Sequence, residues 1–167
     1  FQVRVASNPA EVARANDVVF IQCVNYRYCS RICCTTAIKN AMKMRELNPD
    51  ANIFMLVKDV RTYGFREQYY TKAREAGIIF VRYEEREPQV ELVGGRLVVR
   101  AWDAILGEEL VLPADLLVLA EAVRPMEGNA ALAAALKVPL TENGFFLEAH
   151  TKLRPVDFAS EGVLVCG

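Results

Sequence analysis

The chain has 167 residues, 53% hydrophobic and 25% charged, a composition that buries one ordinary core and excludes whole-chain disorder. Twenty Lys and Arg against 21 Asp and Glu leave a net charge of -1, which offers no electrostatic footprint for nucleic acid or for an anionic membrane surface. There is no apolar run of about 18 residues and no signal-peptide order at the start, so no membrane span and a cytoplasmic location are expected; five cysteines are then too sparse for a disulfide framework.

The opening residues carry little pattern beyond a short helix around Pro9 to Ala15, and the start without Met suggests a segment of a longer chain. "DVVFIQCV", Asp17 to Val24, is a β-branched apolar run of the kind buried on both faces of a parallel sheet. A cysteine-rich stretch then merges into a helix predicted over Thr35 to Leu47, with Asn48-Pro49 as its stop. "NIFMLV" (Asn52 to Val57) is a second strand, about Arg66 to Ala76 an amphipathic helix closed by Gly77, and "IIFVRY" (Ile78 to Tyr83) a third strand. Strand and helix alternating at these lengths predict right-handed parallel βαβ units.

From Pro88 to Leu112 the rhythm changes to three short alternating strands, with turn signals at Gly94-Gly95 and Leu106-Gly107, the pattern of an antiparallel meander. Ala114 to Val123 reads as a strand returning to the main sheet, and Asn129 to Leu136 as a short helix with Asn129 as N-cap. "GVLVCG", Gly162 to Gly167, reads as a last buried strand. The expected fold is α/β: one Rossmann-like domain over residues 1–167, a parallel sheet with a three-stranded antiparallel insert. Such a domain forms the NAD(P)-binding half of two-domain disulfide oxidoreductase flavoproteins, with the tail from about 141 to 167 leading back towards a FAD domain. A dinucleotide site there needs G-x-G-x-x-G after the first strand. The turn here is "CVNYRYCSRICC", without a glycine, which argues against a pyridine nucleotide at that place.

Four of the five cysteines, Cys23, Cys29, Cys33 and Cys34, fall within twelve residues as C-x5-C-x3-C-C. Cys29 and Cys33, four apart, would share a helical face, and Cys23 ends a strand that points at the crevice where open α/β sheets bind ligands. Thiolates gathered at a helix N-terminus are favoured by its dipole and free amides. The spacing is neither the ferredoxin run nor the paired C-x2-C of zinc ribbons. An iron-sulfur cluster, structural zinc, a dithiol redox pair and plain buried cysteines all remain open at this level; Cys166 reads as a core residue.

The blocks "IQCV", "YCSRICCTTAIKNAMK", "KDVRTYGFREQYYTKAREAGIIFVRY" and "GFFLEAHTKLRPVDFASEGVLVCG" resemble the A-subunit family of heterodisulfide reductases, iron-sulfur flavoproteins, from about Val18 to Gly167. The resemblance implies that Cys23, Cys29, Cys33 and Cys34 ligate a 4Fe-4S cluster close to a FAD. It implies that Lys39, as the catalytic lysine, lies near the flavin ring, with Arg61, His150 and Lys152 as further cofactor contacts. It implies an oxidoreductase that passes electrons between FAD and the cluster towards a disulfide. The implied partners are the other reductase subunits and an electron-donating dehydrogenase or hydrogenase. Two departures stand out. The family's loop between the first two cysteines is longer than "VNYRY", as though residues were missing there. A glycine-rich FAD turn and the acidic residue that normally follows a terminal Cys-Gly are also absent, so the isolated segment is expected to bind FAD weakly or not at all and to be inactive. The rival expectations are an NAD(P)H-dependent disulfide oxidoreductase domain and a non-catalytic, zinc-bound interaction module.

Overall fold

The computed structural model describes residues 1–24, 29–30 and 32–165 and divides into two compact units, Phe1–Ala122 and Val123–Gly167. In the first unit, in chain order, lie α1 (Gln2–Ser7), α2 (Pro9–Val12), β1 (Asp17–Val24), α3 (Cys33–Leu47) and β2 (Asn52–Val57). A 3-10 turn (Gly64–Arg66) leads into α4 (Glu67–Glu75), followed by β3 (Ile79–Arg82), β4 (Gln89–Val93), β5 (Arg96–Asp103), β6 (Glu108–Ala114) and β7 (Leu116–Glu121).

β1, β2, β3 and β7 form a parallel sheet in the order β3-β2-β1-β7. Alternation along β1 explains how one apolar run serves two interfaces. Val18 and Phe20 pack with Ala37, Ile38, Ala41 and Met44 of α3 and Ala73 of α4, while Val19 and Ile21 pack with Val99 and Ala101 of β5 and Leu112 and Ala114 of β6. The sheet thus lies between a helical layer and the antiparallel β4-β5-β6 sheet. Each fully buried Val, Leu, Ile, Phe or Met in these layers contributes about 1.5–3 kcal/mol.

The meander turns at Gly94-Gly95, where φ of +60° and +83° gives the doubly left-handed turn that a two-residue hairpin needs. Arg96 ties it to the parallel sheet through Asp17 at 2.6 Å and Asp115 at 3.0 Å. The parallel sheet with its antiparallel meander is the α/β architecture expected from the sequence. The chain steps outward from β1 to β2 and β3, then returns to the other side of β1 as β7, which makes the β1/β7 edge the switch point of the sheet.

The second unit holds α5 (Asn129–Leu136) and a small core of Ala133, Val138 and Phe158. Two expectations are corrected here. Gly128 is the N-cap of α5, and Asn129, already helical, donates its side-chain N–H to the Gly144 carbonyl instead. Within Gly162 to Gly167 no sheet strand forms among the described residues: Leu164 makes one antiparallel bridge to Asp157 and is 66% exposed. Cys166 and Gly167 lie outside the described residues. No helix among the described residues is long and apolar enough to cross a membrane.

Candidate functional site

A cavity of about 370 Å³ opens at the carboxyl edge of the parallel sheet. It is lined by Cys23 from β1, Cys29 and Ser30, Cys33 and Cys34 from the first turn of α3, and Lys58, Asp59 and Arg61 from the segment after β2. Arg82 at the end of β3 and Ala120 to Ala122 around the end of β7 complete the wall. The four clustered cysteines therefore share one space, although Cys29 is not helical and reaches it from irregular chain, correcting the shared helical face. Among the described residues no three His, Cys, Asp or Glu side chains are gathered at metal-binding spacing. All four thiols are unpaired.

Local structure accounts for each position. At Cys23 the backbone takes φ +61° where the β1-β7 register shifts between Ile21 and Val24, a bulge that re-aims the side chain at the strand end. Helix α3 begins with Ile32 as N-cap and no side-chain capping hydrogen bond, so its first amides are left to other acceptors. The first turn carries Cys33, half-buried, and Cys34, buried.

The sulfur electrostatics follow from these placements. Cys33 is pulled down to about 6, chiefly because the Cys34 thiol donates to it, with the Ser30 hydroxyl and backbone N–H groups adding to the effect. Cys34, the donor of that pair, is pushed up in turn and further raised by burial; its sulfur also lies 3.8 Å from the Asp59 carbonyl oxygen, to which it can donate. Burial raises the Cys23 thiol, and the neighbouring sulfurs of Cys33 and Cys29 raise it further, while the Lys58 backbone N–H and ammonium work in the opposite direction. The Cys33 thiol is thus eased towards thiolate, while Cys34 and Cys23, whose thiols are pushed up, must lose protons to any metal that binds.

The remaining expected residues are spread more widely. Arg61 lines the cysteine cavity and pairs with Asp59 at 3.1 Å. Lys39 is exposed on α3 and borders a separate pocket of about 510 Å³, with Phe1, Val5, Met42 and Tyr69 among its apolar lining and Lys43 and Lys72 beside it. His150 and Lys152 belong to the second unit, where the His150 Nδ1 accepts the backbone N–H groups of Lys152 and Leu153, each at 3.1 Å. That use of one ring nitrogen gives the histidine a turn-forming role.

Lys58, Arg82 and Glu121 line the cavity without having been singled out from the sequence. A usable signal existed: each lies at or just beyond the carboxyl end of a parallel strand, the rim where ligands of open α/β sheets bind.

No protein-family model matches the chain. Individual relatives do. The chain is 40% identical over 158 residues to the A subunit of the ferredoxin:CoB-CoM heterodisulfide reductase of Methanosarcina acetivorans, covering 90% of this chain and 20% of that protein. It is 37% identical over 171 residues to a protein of Archaeoglobus profundus described as like the A subunit of heterodisulfide reductase, covering 94% and 23%. With the iron-sulfur A subunit of the CoB-CoM heterodisulfide reductase of Methanocaldococcus jannaschii the identity is 36% over 168 residues, covering 95% and 26%. The chain thus spans a fifth to about a quarter of the length of these relatives. Among solved structures, the thioredoxin reductase of T. acidophilum superposes with a TM-score of 0.55 at 19% identity, over 90% of this chain and 43% of that one, a likeness of fold.

Proposed function

Because this chain is homologous, over nine-tenths or more of its length, to one segment of the heterodisulfide reductase A subunit, we propose that it is the electron-transferring segment of an oxidoreductase of that kind. Cys23, Cys29, Cys33 and Cys34 would hold a 4Fe-4S cluster. The observation that supports this most directly is four unpaired thiols lining one cavity at the switch-point edge of the sheet. Soft thiolates are the donor set that iron-sulfur clusters use, and the uncapped N-terminus of α3 favours an anion there.

When bound, the cluster supplies one-electron transfer and FAD supplies two-electron chemistry. This chain's own residues supply the surroundings. Cys33 would offer a thiolate, Cys34 and Cys23 would give up protons on ligation, and the end of β1 and the first turn of α3 would hold Cys23, Cys33 and Cys34 in place. Lys39 is the proposed catalytic contact to FAD; it borders a pocket with an apolar lining, Lys72, and Lys43 paired with Glu46. Arg61, His150 and Lys152 are the other proposed cofactor contacts. The sequence after β1 lacks the glycines that a pyrophosphate site calls for, which disfavours an NAD(P)H site on this segment. The whole protein is proposed to act on a disulfide in a cytoplasmic setting that keeps thiols reduced. Its proposed partners are the other reductase subunits and an electron-donating dehydrogenase or hydrogenase; that the relatives are named as A subunits supports a multi-subunit assembly.

Anaerobic purification followed by iron, sulfide and zinc analysis tests the reading. The expected result is a brown protein with about four irons and matching sulfide, lost on Cys33→Ser. Stoichiometric zinc without iron would overturn it in favour of an interaction module.

A further inference from the structure

The segment after β2 contributes no thiol, yet it meets the thiols closely. Lys58 and Arg61 line the same cavity as Cys23 and Cys34, and the Asp59 carbonyl oxygen between them lies 3.8 Å from the Cys34 sulfur. The Lys58 ammonium acts on Cys23 through space as well. That ammonium is held in place: it pairs with Glu87 at 2.5 Å and lies 5.4 Å from the centroid of the Tyr83 ring. The Tyr83 hydroxyl donates to the Gln22 carbonyl at 2.5 Å, so the same ring braces the residue beside Cys23. With 28% of its side chain exposed, Lys58 is screened less than a surface lysine.

Electrons added to a thiolate-held centre add negative charge. A fixed cation beside it therefore favours the reduced form. We infer that Lys58, held by Glu87 and Tyr83 in the wall of the cysteine cavity, sets the reduction potential of the cysteine site. Lys58 makes that site easier to reduce, and Glu87 offsets part of its charge. This inference rests on the cysteine-bound cluster proposed above.

The test uses the full-length protein, purified anaerobically, with iron and sulfide counted before any potential is measured. Wild-type protein without iron overturns the cluster reading, and this inference with it. With iron present, Lys58→Gln is expected to shift the reduction equilibrium about ten-fold towards the oxidised form, about 59 mV for one electron, while Lys58→Arg stays near wild type. Glu87→Gln is expected to move the midpoint in the opposite direction, an opposition that a merely structural role would not produce. If Lys58→Gln loses its iron, Glu87→Gln and Lys58→Arg decide the matter. Midpoints that do not move in cluster-retaining Lys58→Gln or Glu87→Gln protein overturn the role assigned to Lys58 while leaving the ligand set standing.

Discussion

At Cys23 the backbone sits at φ +61°, where a residue with a Cβ costs about 1–2 kcal/mol relative to glycine. Its neighbour Gln22 is fully buried, and among the described residues neither amide atom of its side chain finds a partner, a further cost of about 1–3 kcal/mol per group. Two consecutive residues thus hold the strand end in an unfavourable local state, which the surrounding sheet sustains. In metal-free protein, Cys23→Gly is expected to be more stable than Cys23→Ala by about 1 kcal/mol, read from urea midpoints. This reverses the usual order inside a strand, where glycine is the weaker by about 0.5–1 kcal/mol. Equal midpoints would mean that the bulge relaxes once the thiol is gone. The density of cysteines made these residues stand out in the sequence. The left-handed backbone did not, because nothing in "FIQCV" marks a bulge: it arises from the register that β7 imposes on β1, some 95 residues later in the chain.

At the level of elements, β1 and β2 run between the bounds their apolar runs indicate, since strands buried on both faces announce themselves by composition. Helix α3 starts two residues earlier than expected, at Cys33, where Cys34 is already buried in its first turn. Helix α1 had no legible stripe, and none of its residues is buried; its place depends on Phe1 and Val5 packing against the core of the first unit. The apolar letters of "GVLV" misled for the converse reason: composition alone cannot tell a sheet strand from a bridged loop. The bare start of α3 gives a prediction at this scale. Ile32 is 58% exposed and offers no cap, so Ile32→Asp is expected to stabilise the metal-free protein by about 1 kcal/mol. The same carboxylate would stand where an anionic cluster is proposed, and iron retention is expected to fall. A variant that is both stabler and fully iron-loaded would place the cluster away from this helix end.

For the molecule as a whole, the two sheets of the first unit are joined at one end by charge. Asp115 accepts the N–H groups of Asp17 and Asn16 and receives Arg96, which also pairs with Asp17. The Asp17 N–H contributes most to holding the Asp115 carboxyl below its ordinary value, ahead of the Asn16 N–H and Arg96. A carboxyl whose folded pKa is depressed stabilises the fold above its unfolded value of about 3.9 and loses that contribution as pH falls through the lowered folded value. Asp115→Asn is therefore expected to lower stability at pH 7 and to flatten the decline between about pH 5 and pH 3, measured by urea denaturation across that range. An acid limb as steep as wild type would assign the decline to other carboxylates. The cavity at the opposite end of the sheet has its own consequence, for the timing of synthesis. All four thiols have been made by residue 34, but the wall opposite them is completed only at Ala120 to Ala122. At roughly 5–20 residues per second, those cysteines leave the ribosome on the order of ten seconds before the chamber that shelters them can close. Their exposure to solvent is greatest in the nascent chain, and the pocket proposed to take a cluster is complete only once the last parallel strand has been added.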